Sequence, residues 1–126
     1  MQGQANHFRL FAGARSDYGI NRYIEETKRL YSVLESRLQE SPYLAGDKYT
    51  IADIANFSWV RGAPNSLEID LAEFPAVKKW VDEINKRAAV QKGVDVPSTG
   101  RTPEQMAELF ANCRAKIDGM TNSDKH

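Results

Sequence analysis

Leu44-Ala45-Gly46-Asp47-Lys48-Tyr49-Thr50-Ile51-Ala52-Asp53-Ile54-Ala55 is the stretch that decides the fold. Thr50 is placed as an N-cap. Its hydroxyl can accept from the backbone N–H of Asp53, and the Asp53 carboxylate can reach back to the Thr50 N–H. That is a capping box with Asp where Glu is usual. Tyr49 and Ile54 are spaced for a hydrophobic staple across the cap. Ile51, Ile54, Ala55 and Trp59 recur at helical spacing, which predicts an apolar helix from Thr50 to about Val60, stopped by Gly62. A helix this apolar is expected at the centre of a bundle. Capping alone accounts for Asp53, so Thr50 and Asp53 are read as structural residues.

Upstream, Ile20, Tyr23, Ile24, Thr27, Leu30, Tyr31, Leu34 and Leu38 form one stripe, predicting a long helix from Tyr18 to Leu38. Gly13 to Gly19 is expected as a loop, with Ser16 or Asp17 as the cap. Glu25 and Arg29 are spaced as an i,i+4 ion pair. Ser41-Pro42 ends the helix. Before it, residues 4–11 can be helical, with Phe8 and Phe11 on one side. Downstream, Gly62 to Asp70 is expected as an irregular connector, with Pro64 and Asn65 as turn formers and Asp70 capping a short turn. Phe74-Pro75 opens another helix, with Val77, Trp80, Val81 and Ile84 facing inward and Lys78, Lys79, Asp82, Glu83 and Lys86 facing solvent. Ala88 to Lys92 adds a turn before Gly93. A linker from Val94 to Arg101 leads to a second capping signature, Thr102-Pro103 with Gln105, and to a stripe of Met106, Leu109, Phe110, Cys113 and Ile117. With no strand-like alternation, the fold class is all-α, a helical bundle.

The chain has 126 residues, with 17 basic and 17 acidic side chains and a formal net charge of zero. A nucleic-acid binder would carry a basic surplus or a basic face, so no nucleic-acid partner is expected. The single cysteine, Cys113, excludes an internal disulfide, suits a cytoplasmic, reducing location, and reads as a buried, inert thiol. The start of the chain lacks an apolar signal core. No apolar run approaches the roughly 18 residues needed to span a bilayer, so no membrane association is expected. The two histidines, His7 and His126, form no cluster with metal-ligand spacing.

YLAGDKYTIADIANFSWV, residues 43–60, resembles the buried-helix signature of the glutathione S-transferase C-terminal domain. MQGQANHF and YGINRYIEETKRLYSVLESRL upstream, and EFPAVKKWVDEINKR downstream, are similar to that family in the same order. They resemble the branch with the bacterial nu-class enzymes and the yeast nitrogen-catabolite regulator. The resemblance covers residues 1–97, read as the glutathione-transferase C-terminal-like helical bundle. Residues 98–126 are read as a linker, a further helix and a frayed tail.

In the family, Met1 would fall within the domain's first long helix, and a thioredoxin-like domain would lie upstream. The resemblance therefore implies a piece of a longer protein. The family's thiolate-stabilising group lies on that other domain, so no catalytic residue is assigned in this chain. The implied role is half of an enzyme that conjugates glutathione to electrophiles or uses it to reduce disulfides, inactive alone. Glutathione would be a co-substrate, with no tightly bound cofactor and no metal, and the protein would form a homodimer. Asn6, His7, Phe8, Arg22 and Trp59 are the residues expected to line the substrate site. A guanidinium such as that of Arg22 suits the carboxylates of the tripeptide because it can bind them bidentately. Trp59 suits either a pocket wall or the core, and Arg22 also reads as an exposed charge near a solvated helix start. The alternative function is a non-catalytic, transferase-like interaction or regulatory module.

Overall fold

A computed structural model of the chain describes residues 1–12 and 16–96, and beyond them 100, 102, 104, 105, 108, 109, 111, 112 and 115. The described elements are helical throughout: α1 (Gln2–Asn6), a π-helical turn (His7–Phe11), α2 (Asp17–Glu40), α3 (Ile51–Leu67), a 3-10 turn (Leu71–Glu73), α4 (Pro75–Asn85) and α5 (Ala88–Val94). Helix α2 packs against α1 and α4, and α3 packs against the same two. The core between them is built from Ala5, Tyr31, Phe57, Val60, Ala63, Leu67, Ile69, Phe74, Val77, Trp80, Val81 and Ile84, all buried.

Helix α2 follows its apolar stripe. Thr27 and Tyr31 are buried, and Tyr23, Ile24, Leu34 and Leu38 pack against the core. Ser16 is the cap, its hydroxyl oxygen accepting from the Gly19 N–H at 3.1 Å. The cap starts α2 at Asp17, one residue before the expected start at Tyr18, so Gly19 belongs to the helix rather than to the loop. Arg29 pairs with Glu26 rather than Glu25, its Nε and Nη2 donating to the two carboxylate oxygens at 2.8 and 2.9 Å. At that spacing the planar guanidinium satisfies both oxygens at once.

The capping box at Thr50 and Asp53 is present. The Thr50 N–H donates to Asp53 Oδ2 at 2.9 Å, and the Thr50 hydroxyl also accepts from the Ala52 N–H at 3.2 Å. Asp53 is fully buried. Its Oδ1 additionally accepts from the Leu44 N–H at 3.1 Å and from the Trp80 indole N–H at 2.9 Å. The Leu44 contact is delivered by a tight turn in which Tyr43 and Gly46 exchange backbone hydrogen bonds, both 3.1 Å. Gly46 sits there at φ 126°, a conformation that disfavours any side chain.

Those contacts correct the expected facing of α3. Asp53 must point inward to meet Trp80 and Leu44. At about 100° per residue, Ile51 and Ala55 then lie on the opposite side of the helix. Ile51 is 83% exposed, Ile54 56% and Trp59 51%, and Ala55 is also exposed. The buried face is Asp53, Phe57, Val60, Ala63 and Leu67. No staple closes over the cap from a buried Ile54. Tyr49 instead meets Tyr43 edge-on at 5.9 Å and lies under the Arg87 guanidinium at 4.2 Å.

The expected stop at Gly62 and connector at Pro64 are also corrected. Helix α3 continues to Leu67, with Pro64 inside it. Pro64 has no N–H to donate to the preceding turn, but Val60, Ala63 and Leu67 continue the inner face and are buried. Burying Leu67 alone contributes about 1.5–3 kcal/mol, comparable with the roughly 3 kcal/mol cost of an interior proline. The Ser66 hydroxyl donates to the Gly62 carbonyl at 3.0 Å within this segment. The helix ends at Glu68 in the left-handed region, φ 56°.

Asp70 caps its 3-10 turn as expected, accepting from the Ala72 N–H at 2.8 Å. In α4 the expected inward residues Val77, Trp80, Val81 and Ile84 are all buried. Its first turn takes a cap from another helix. Glu35 of α2 accepts from the Ala76 and Val77 N–H groups at 3.0 and 2.9 Å. Helix α5 runs one residue past Gly93 to Val94. The second capping box is formed, with Thr102 N–H donating to Gln105 Oε1 at 2.9 Å and Gln105 N–H to Thr102 Oγ1 at 3.3 Å. Leu109 of the stripe beyond it is half-buried, while Met106, Phe110, Cys113 and Ile117 lie outside the described residues. No described helix is long and apolar enough to cross a membrane.

Candidate functional site

Two open grooves border α2, and Met1 borders both. The larger, about 730 Å³, lies along the first half of α2 and is lined by Tyr18, Asn21, Arg22, Tyr23, Glu25, Glu26 and Arg29. The smaller, about 430 Å³, lies where α1, α2 and α3 meet, and its lining includes Leu30, Val33, Leu34, Asn56 and Trp59.

The charge pattern of the larger groove follows from α2. The hydrogen bonds from Arg29 hold the Glu26 carboxyl below its ordinary range; desolvation opposes them, and the charges of Arg29, Arg22 and the chain's amino terminus add to them. Arg29 is thus committed to Glu26. Among the described residues, Arg22 has no hydrogen bond or ion pair, and it is exposed at the groove. It is the groove's available guanidinium, a donor fork fitted to a carboxylate.

Phe8 reaches this groove through Tyr23. Its ring stacks on Tyr23 at 5.3 Å between centroids, with 19° between planes. His7 meets Phe8 edge-on at 5.4 Å and is exposed. The two residues begin the π-helical turn, closed by the Ala12 N–H donating to the His7 carbonyl at 2.7 Å. Asn6 is half-buried, and its side-chain oxygen is buried without a hydrogen-bond partner among the described residues. Trp59 stands apart from this group, half-exposed on the smaller groove. Of the five residues read from the sequence, then, Arg22 lines the larger groove, Phe8 backs it, and Trp59 lines the smaller.

Sequence reading missed the polar tie beside Trp59. Gln2 donates to the Trp59 carbonyl at 2.6 Å and accepts from the Tyr31 hydroxyl at 2.9 Å, joining α1 to α2 and α3. Burial raises the Tyr31 phenol well above its usual value, so it stays protonated as the donor in this tie. A lone glutamine has no periodic pattern to reveal it. Tyr23, on the inward stripe of α2, packs against the core but is only half-buried and also lines the larger groove. Among the described residues no three His, Cys, Asp or Glu side chains cluster to hold a metal.

Residues 21–88 match the model of the glutathione S-transferase C-terminal domain, more than half of the chain, and the chain belongs to that family. Among curated relatives, it is 49% identical over 89 residues to the disulfide-bond oxidoreductase YfcG of Escherichia coli, covering 71% of this chain and 41% of that protein. It is 36% identical over 113 residues to the disulfide-bond oxidoreductase YghU of the same organism, covering 84% of this chain and 39% of that one. Among solved structures, a Burkholderia graminis glutathione transferase superposes with a TM-score of 0.68 at 37% identity, over 78% of this chain and 43% of that one. That enzyme was crystallised with two glutathione molecules bound per subunit. The chain therefore spans about four tenths of the length of the proteins it is similar to.

Proposed function

We propose that this chain is the helical half of a glutathione-dependent enzyme that reduces disulfides or conjugates electrophiles, and that it is inactive by itself. The observation carrying this is its 49% identity to a named disulfide-bond oxidoreductase, of which it covers 41%. Both reactions need the glutathione thiolate, since the thiolate is the nucleophile. A thioredoxin-like partner domain would ionise the thiol and hold the γ-glutamyl end, and this chain would supply the facing wall. Arg22 would bind a glutathione carboxylate. Asn6, His7 and Phe8 would shape the second-substrate side, with Trp59 beside them on the adjoining groove. A single cysteine, a zero net charge and the family's habit support a cytoplasmic homodimer.

Titrating the isotopically labelled chain with glutathione, followed by NMR, tests the site. Shifts are expected to cluster at Tyr18, Arg22 and Tyr23 and to vanish in Arg22→Ala. Shifts unaffected by that substitution would remove Arg22 from the site.

A second reading, a non-catalytic interaction module, is favoured by the exposed Ile51, Ile54 and Trp59 on the outer face of α3. Light scattering over a concentration series separates the two. A defined dimer unchanged by Ile51→Lys and Ile54→Lys supports the enzyme half, whereas loss of association in those variants supports a docking face.

A further inference from the structure

Gly19 occupies the first turn of α2, where glycine is a poor choice: it disfavours a helix by about 1 kcal/mol relative to alanine. It is buried, and its N–H already meets the Ser16 cap. What distinguishes the position is the approach of Phe8. A β-carbon at residue 19 would lie 2.9 Å from Phe8 Cδ1, 3.1 Å from Cε1 and 3.1 Å from the Ser16 hydroxyl oxygen. The first of these distances is too short for any real contact, so the ring would have to move. As it stands, Phe8 rests on bare backbone and stacks on Tyr23 four residues along the same helix. Tyr23 in turn forms the groove wall next to Arg22. Behind Phe8, the π-helical turn carries one more residue than an α-helical turn would, a feature often found at functional sites.

We propose that Gly19 is a positioning residue that sets the shape of the Arg22 groove: by lacking a β-carbon it lets Phe8 back Tyr23, and so selects which sulfur substituent of a glutathione derivative is accommodated. This rests on the reading of that groove as the glutathione-side wall. The ligand's carboxylate end and its sulfur substituent then answer to different residues, Arg22 and the Gly19–Phe8–Tyr23 stack.

The test compares glutathione with S-p-nitrobenzylglutathione, titrated into the labelled chain and its variants. Gly19→Ala is expected to weaken the nitrobenzyl derivative about tenfold, the scale of a one-carbon misfit in an apolar pocket, while changing glutathione by less than about twofold. In a Phe8→Leu background, the smaller side chain relieves the contact, and adding Gly19→Ala is expected to change neither ligand further. Equal weakening of both ligands by Gly19→Ala, or the same loss with and without Phe8, would overturn the inference while leaving the glutathione site standing. Failure of the unaltered chain to bind either ligand would overturn the groove reading, and this inference with it. Should Gly19→Ala not fold, Phe8→Leu alone decides, because unchanged discrimination between the two ligands would overturn the role of the stack.

Discussion

Asp53 illustrates how one buried carboxylate organises a fold. Burial alone would raise its pKa, but donors from the Leu44 and Thr50 backbone, the Trp80 indole and the Thr50 hydroxyl outweigh that and hold it below the usual carboxylate range. The folded chain therefore binds this proton less tightly than the unfolded one. The resulting stability is present above the unfolded value, near pH 3.9, and is lost as pH falls through the lower folded value. Asp53→Asn places an amide donor among donors and should destabilise the chain by about 2–4 kcal/mol at neutral pH. Urea unfolding from pH 7 to pH 2 should show a shallower acid loss for the variant than for the parent. Parallel pH curves would contradict the role given to this carboxylate.

The cap was legible because its partners are three residues apart: Thr50 and Asp53 announce each other. The facing of α3 was not. Apolarity pointed to Ile51, Ile54 and Trp59, whereas a polar contact from another helix, Trp80 to Asp53, sets the rotation. Substitution at the element scale checks this. Phe57→Ala should cost about 3–5 kcal/mol, and Ile54→Ala about 0.5 kcal/mol or less. The reverse order in denaturant melts would mean that α3 is turned the other way.

The cap of α4 was equally hidden, because Glu35 lies some forty residues away from the N–H groups it satisfies. Glu35→Ala should cost about 1–2 kcal/mol. Amide exchange should quicken first at Ala76 and Val77, and uniform quickening along α4 would argue against the cap. By contrast, the long stripe of α2 and the inward residues of α4 were plain in the sequence, since regular spacing reports burial wherever no polar contact overrides it.

At the scale of the whole molecule, α2 borders both grooves, the larger along its first half and the smaller where it meets α1 and α3. Family resemblance singled out Arg22 and Phe8, and the structure places Arg22 on the larger groove and Phe8 against Tyr23 beside it. The place of Tyr23 on that groove was not legible, because a tyrosine on a core stripe gives no sign that it also borders open space.

The claim that this is half of a glutathione-dependent enzyme is tested most directly by turnover. Glutathione-dependent consumption of chlorodinitrobenzene and of a small disulfide would be followed for the chain alone and for the chain joined to a thioredoxin-like domain from its Escherichia coli relative YfcG. The account predicts no rate above the glutathione background for the chain alone, and catalysis by the joined protein that falls on Arg22→Ala. Turnover by the 126 residues alone, or a joined protein no faster than background, would contradict it.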